Sequence, residues 1–451
     1  MFTNMDKNKI WKGLCGLVLG TSLCLGLEGC TPFWQSDVRV KTYETKEDVS
    51  SDQDTEEESS VMDWEDALAL ASEYYENMTL EERVGQLFVV NLEQLDNRKG
   101  NYYEFQRATE TMKNTIAKYH VGGVILFSRN LKNRQQVTVM NQKLQEASRT
   151  PLFICVDEEG GDVARIASKP EMGNTIFPSA EEIGNTKDDQ YTYEMAKTIG
   201  TEIGELGFNV DFAPVADVKT SELNAEIGNR SFGDDPEKVS DHVNAFVQGL
   251  NKVNICATLK HFPGQGSSNG DTHKNSVDID SGIARLRKTD FLPFETGIAS
   301  GADFIMMSHI SVSKVTESSI PASLSDLMMQ TILRQELGFE KVIITDAFDM
   351  ASITEYYTSG EAAYSAVKAG ADVVLMPQNL DEAYQEIIAK VKSGKLTEKR
   401  LEESVLRILA VKIQRELLTR EQVLATPAPT PSYTLAPAST PKKTKKPKKN
   451  R

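Results

Sequence analysis

Val342-Ile343-Ile344-Thr345-Asp346-Ala347-Phe348-Asp349-Met350 is a short β-branched run that stops at a carboxylate. Apolar residues that do not alternate with polar ones read as a strand buried on both faces. The pattern recurs along the chain, at Gln86–Asn91, Val121–Phe127, Pro151–Val156, Asn209–Val215, Ile255–Leu259, Asp303–Ser308 and Asp372–Met376. Amphipathic stretches such as Ala322–Leu337 and Leu401–Leu418 fall between the runs, and the first helix opens on a capping box, Thr79-Leu80-Glu81-Glu82. Strands alternating with helices imply an α/β fold with a parallel sheet. Eight such units imply closure into a (β/α)8 TIM-type barrel, with a doubly wound open sheet as the alternative.

Barrels of this kind carry their chemistry where strands end and the next loops begin. Asp157 follows the third run, Asp217 the fourth, Lys260-His261 the fifth, His309 the sixth and Asp346 the seventh. Three of the five histidines, His261, His273 and His309, fall in these loops. Lys260-His261-Phe262-Pro263-Gly264-Gln265-Gly266 runs into a Gly/Ser/Asn-rich loop that returns Asp271 and His273. Residues two apart in an extended loop share one side, so Asp271 can accept from the imidazole of His273. That bond raises the imidazole pKa and suits a general acid/base near neutral pH. Gly264, Gly266 and Gly270 miss the dinucleotide fingerprint by one residue.

A carboxylate directly after a buried strand is costly unless it is used or paired, which singles out Asp346. Taken alone it also fits a helix cap or an ion-pair partner, a capping role that suits Asp349 better. Asp157-Glu158-Glu159-Gly160-Gly161-Asp162 places carboxylates on a glycine turn, able to bind sugar hydroxyls. A calcium or magnesium loop is the alternative, but no twelve-residue ligand pattern follows. Gly228-Asn229-Arg230 presents a guanidinium in the loop after the fourth strand.

Outside the repeats the chain changes character. Lys7, Lys9 and Lys12 precede an apolar run from Leu14 to Leu27, too short to span a bilayer comfortably, which ends at Gly29-Cys30. Residues 1–29 therefore read as a signal peptide and Cys30 as the acylated first residue of an exported lipoprotein, held on the outer face of the cytoplasmic membrane, with plain secretion or a retained signal anchor as the alternative. Residues 30–60 read as an acidic Ser/Asp/Glu-rich tether and residues 61–425 as one catalytic domain. Residues 426–451 are a Pro/Thr spacer with a Lys-rich tail, so both tails read as disordered. Cys155 and Cys256 lie in apolar runs and read as buried, inert thiols. Formal net charge is −16, and the last ten residues carry seven positive charges, so the rest sums to −23. A body this acidic argues against nucleic acid. The Lys-rich tail suits contact with anionic wall polymer or lipid. No Cys pair at ligand spacing and no His-x-x-x-His occurs, so neither metal nor cofactor is called for.

Together, the Asp157, Arg230, Lys260–His273 and Asp346 segments resemble glycoside hydrolase family 3, in its single-domain bacterial β-N-acetylglucosaminidase branch. The resemblance spans about Thr79 to Lys412. It implies an exo-acting, configuration-retaining β-N-acetylhexosaminidase acting on N-acetylglucosamine-containing peptidoglycan fragments. Asp346 is then the nucleophile, and His273 the general acid/base assisted by Asp271. Sugar-binding roles pass to Asp157, Arg165, Arg230, Lys260 and His261. Two positions depart from the family pattern: Asp162 replaces the Arg that usually follows the Gly-Gly turn, and Gln265 replaces a common second His. A neutral base repels anionic acceptors less than a carboxylate does, which leaves a β-N-acetylglucosaminide phosphorylase as one alternative. A catalytically silent sugar-binding lipoprotein is the other.

Overall fold

The computed structural model describes residues 62–221, 224–270, 272 and 276–425. The signal peptide, Cys30, the tether, the C-terminal spacer and tail, and the Asp271 and His273 pair lie outside the described residues.

Eight strands form one parallel ring: β1 Phe88–Asn91, β2 Gly123–Ile125, β3 Phe153–Val156, β4 Val210–Asp211, β5 Cys256–Phe262, β6 Phe304–Met307, β7 Val342–Thr345 and β8 Val374–Leu375. They hydrogen-bond in chain order, and β8 also pairs with β1. Between β7 and β8, Val373 N donates to Ile343 O and Thr345 N to Val373 O, each at 3.0 Å. These bonds close the barrel and exclude the open-sheet alternative. Every strand residue is buried, as a parallel sheet covered by helices requires.

The expected runs are longer than most of the strands they contain, because an apolar run marks burial and not ladder pairing. The fifth departs the other way. β5 continues past Leu259 through Lys260, His261 and Phe262, all buried. Thr79 caps helix Leu80–Gln86 as the capping box predicts, with Thr79 N donating to Glu82 Oε2 at 2.8 Å. The stretch expected as helix from Ala322 instead holds a short turn, Ala322–Leu324, followed by a π-helical segment, Leu327–Glu336.

Two buried aspartates tie the strand-entry face together. Asp303, before β6, pairs with Lys341 at 2.8 Å and Arg415 at 2.6 Å. Asp372, before β8, takes Arg334, Arg400 and Arg407. In such barrels this face supplies stability and the opposite face supplies chemistry.

Candidate active site

The strand-exit face opens into a cavity of about 930 Å³, lined among others by Asp157, Glu159, Arg165, Arg230, Lys260, His261 and Asp346. β3 delivers Asp157 and β5 delivers Lys260, whose Nζ lies 3.1 Å from Asp157 Oδ1 and 2.5 Å from Glu159 Oε1. Arg230 grips Glu159 with two bonds, Nε to Oε2 at 2.9 Å and Nη2 to Oε1 at 2.8 Å. Arg165 completes the cluster at 3.4 Å from Asp157 Oδ2. Burial alone favours neutral groups, but the mutual attraction wins throughout. Asp157 is held below the usual carboxylate range by Lys260 and Arg165, and Glu159 by Arg230 and Lys260. Lys260 is raised in turn by Glu159 and Asp157.

His261 is fixed by Asp217, whose Oδ2 lies 2.7 Å from Nδ1. The glycines that follow are required by close approach. A Cβ on Gly264, at φ +122°, would stand 2.6 Å from Asp290 Cβ, and one on Gly266 would stand 2.4 Å from Val218 O. Gln265 is a buried strut: Ser308 Oγ donates to its Oε1 at 2.6 Å, and Asn224 Nδ2 donates to its carbonyl at 2.7 Å.

Asp346 directly follows β7 and enters the same cavity, its Oδ1 accepting from Ala347 N at 2.7 Å. Beside it, Asp349 is exposed to the cavity, where the surrounding protein and the Asp346 charge raise its carboxyl above the usual carboxylate range. The capping role expected for Asp349 is not observed, since Met350 occupies the cap of helix Ala351–Thr354 with no side-chain bond. His309 is fully buried with Nδ1 2.8 Å from Ser323 Oγ and Nε2 3.0 Å from Ala347 O, so it props the backbone after Asp346.

The carboxylates of the glycine turn diverge, which removes the basis for a metal loop there. Glu158 turns inward to accept from Ile166 N and Ala167 N, each at 2.8 Å, while Glu159 faces Arg230 and Lys260. Asp162 is exposed and accepts from Asn229 Nδ2 at 2.9 Å. Asp271 and His273 lie outside the described residues, but Thr272 between them is buried. Its N and Oγ1 both donate to Glu226, at 2.9 and 2.7 Å, and Glu226 lines the cavity.

Residues 79–411 match the glycosyl hydrolase family 3 N terminal domain, nearly the whole barrel. The chain belongs to glycosyl hydrolase family 3. It is 37% identical over 271 residues to a beta-hexosaminidase of Stenotrophomonas maltophilia (strain K279a), covering 58% of this chain and 78% of that one. It is 33% identical over 325 residues to beta-hexosaminidase A of Pseudoalteromonas piscicida, covering 66% of this chain and 54% of the relative. The solved family 3 β-N-acetylglucosaminidase of Paenibacillus sp. str. FPU-7 superposes with a TM-score of 0.70 at 34% identity, over 80% of this chain and 66% of that one. The chain thus spans about half the length of the Pseudoalteromonas relative.

Within this family 3 barrel, the sequence singled out Asp157, Arg165, Arg230, Lys260, His261 and Asp346, and all six line one cavity. Glu159 and Asp217 anchor that set, yet sequence reasoning left them without specific roles. Their signal was available: Glu159 sits in the quoted carboxylate cluster, and Asp217 ends a strand. Arg129, paired to the buried Glu93 at 2.5 Å in the cavity wall, carried no motif at all.

Proposed function

We propose that this chain is a retaining exo-β-N-acetylglucosaminidase acting on peptidoglycan-type fragments. The observation that carries the reading is the convergence of Asp346 with the Asp157–Lys260–Glu159–Arg230 cluster and His261 in one cavity. The cluster supplies fixed, charged hydrogen-bond partners for sugar hydroxyls, and Asp346 stands at the cavity wall as the carboxylate free to attack.

In the first step a carboxylate oxygen of Asp346 bonds to the anomeric carbon as the bond to the aglycone oxygen breaks. His273 gives its proton to that departing oxygen. In the second step water attacks the same carbon, His273 takes the water's proton, and Asp346 leaves as a carboxylate. The Glu226 anchor on Thr272, one residue before His273, supports delivery of the imidazole to this cavity. Asp271 keeps that imidazole basic enough to cycle near neutral pH.

The N-terminal sequence supports a companion reading: export as a lipoprotein acylated at Cys30, with residues 30–60 tethering the body of residues 61–425. The Lys-rich tail would then meet anionic wall polymer or lipid. Loss of membrane fractionation in Cys30→Ser tests the anchor, and unchanged fractionation overturns it.

The test of activity is p-nitrophenol release from the β-N-acetylglucosaminide and the β-glucoside, with and without phosphate. Wild type should cleave only the acetamido sugar, Asp346→Asn should lose turnover, and His273→Ala should be slowed. Phosphate-dependent release with sugar 1-phosphate as product would replace hydrolysis by phosphorolysis. Absence of turnover on either substrate would return the site to sugar binding.

A further inference from the structure

We propose that a basic groove beside the active-site cavity receives an acidic peptide carried on the substrate's aglycone, an inference that rests on the glycosidase reading above. The groove, of about 1000 Å³, lies between residues 96–109 and helix Arg134–Gln145. Six cations line it against two carboxylates, Asp96 and Glu104, on a chain whose formal net charge is −16. Three of the cations are neutralised locally, Arg98 by Asp96, Lys113 by Glu110 and Lys143 by Glu146. Lys99, Arg107 and Lys132 are exposed and enter no ion pair among the described residues. Gathering uncompensated cations in one concavity of an acidic molecule costs self-repulsion, which an anionic occupant relieves.

The groove is built on a fixed frame. Asp96 is buried, takes Arg98 through Nε at 2.7 Å and Nη2 at 2.6 Å, and accepts from Thr109 Oγ1 at 2.7 Å, which closes the segment on itself. Gln136 Nε2 donates to Gln106 O at 3.0 Å and ties the segment to the facing helix. The same segment walls the active site. Asn97, Asn101 and Tyr102 line the catalytic cavity, while Arg98, Lys99 and Tyr103 line the groove. One strand of chain separates the two spaces, so a substituent leaving the cavity over this wall enters the cations.

The lining identifies a peptide and not a phosphate polymer. Gln106, Asn133 and Gln135 offer amides that match peptide N–H and C=O groups. Tyr103 and Val139, 44% and 49% exposed, offer apolar surface that a phosphodiester backbone does not use.

The experiment compares two β-N-acetylglucosaminides, the p-nitrophenyl one and a disaccharide whose reducing sugar carries a peptide with two free carboxylates. The ratio of their kcat/KM values is measured in wild type and in Lys99→Gln/Arg107→Gln/Lys132→Gln. The ratio should fall about five- to tenfold in the variant, and by a similar factor in wild type when the peptide carboxylates are amidated or salt is raised. An unchanged ratio overturns the groove assignment. If wild type cleaves neither substrate, the glycosidase reading fails, and anisotropy of the labelled acidic peptide still decides the groove. Binding lost in the triple variant upholds it, and retained binding, or tighter binding of polyphosphate, overturns it.

Discussion

Asp217 holds His261 twice with one oxygen: Oδ2 accepts from the main-chain N at 3.1 Å and lies 2.7 Å from Nδ1. A carboxylate only accepts, so Nδ1 carries the hydrogen and Nε2 is left facing Arg230 Nη2 at 3.5 Å. Asp217 itself is fully buried and touches no cavity space, which makes it a positioning residue.

Asp217→Asn should therefore cost about ten- to hundredfold in kcat/KM on the N-acetylglucosaminide, the scale of one charge-assisted hydrogen bond. Asparagine can present either a donor or an acceptor to Nδ1, so the tautomer is no longer selected. Ring-nitrogen NMR of His261 should show the change while the thermal midpoint moves little. An intact kcat/KM with a shifted tautomer would remove His261 from substrate recognition.

Asp372 carries a prediction about stability alone. Burial works against its charge, but Arg334, Arg407 and Arg400 more than offset that and hold the carboxyl below the usual carboxylate range. It also accepts from Ser404 Oγ at 2.7 Å and from Ile343 N at 2.9 Å, linking helix Glu398–Gln414 to β7. Asp372→Ala leaves three guanidinium groups facing one another in a closed space. It should destabilise the barrel by about 3–5 kcal/mol, read by denaturant unfolding. Any active fraction should keep its KM, because the cluster lies at the opposite face from the cavity.

The contrast between these aspartates shows what the sequence made legible. Barrel closure was readable because each strand must be buried on both faces, and that leaves an apolar run whatever its partners. Val342–Thr345 is both run and strand, with identical bounds. Elsewhere the run overreaches: of Asn209–Val215 only Val210–Asp211 is regular strand, with Val215 meeting Lys260 in a single bridge, and Asp372 opens a run yet serves as an ion-pair hub. The active-site residues were readable because strand ends are chemically exceptional when charged. Their partners were not, since Asp217 meets His261 across 44 residues and Glu159 meets Arg230 across 71. Lys260 broke the strand reading for the same reason. A charge inside β5 looks like a strand end until Asp157 and Glu159, from another strand's exit, are known to neutralise it.

Glu158 gives the fold a specific pH dependence. Burial pushes its carboxyl up to about 7, although the Ile166 and Ala167 amides favour the charged form. The folded chain thus keeps a proton that the unfolded chain loses near the ordinary value of 4.5. Its contribution to stability is complete below that value and is lost as pH rises through about 7. Glu158→Gln cannot titrate, so the difference in unfolding free energy between variant and wild type should grow in the variant's favour across this window. The growth should amount to at most about 3 kcal/mol. Parallel pH profiles would show that Glu158 is ionised in the fold throughout.

Glu226 offers a way to test the proposed role of His273 through Thr272. Its two oxygens take Thr272 N and Oγ1, so one carboxylate fixes both the backbone and the side chain of the residue before His273. Glu226→Ala should lower kcat about tenfold or more, the scale of losing charge-assisted bonds that place the acid, with a smaller change in KM. Thr272→Val, which removes only the Oγ1 bond, should fall between. Leaving-group chemistry separates acid delivery from sugar binding. A p-nitrophenolate departs with little need of a proton, whereas a sugar alkoxide needs one, so misplacing the acid slows the second far more than the first. The loss in Glu226→Ala should therefore be several-fold larger on a disaccharide than on the p-nitrophenyl substrate. Equal losses on both would make Glu226 part of the sugar subsite and leave the proton donor to be sought elsewhere in the cavity wall.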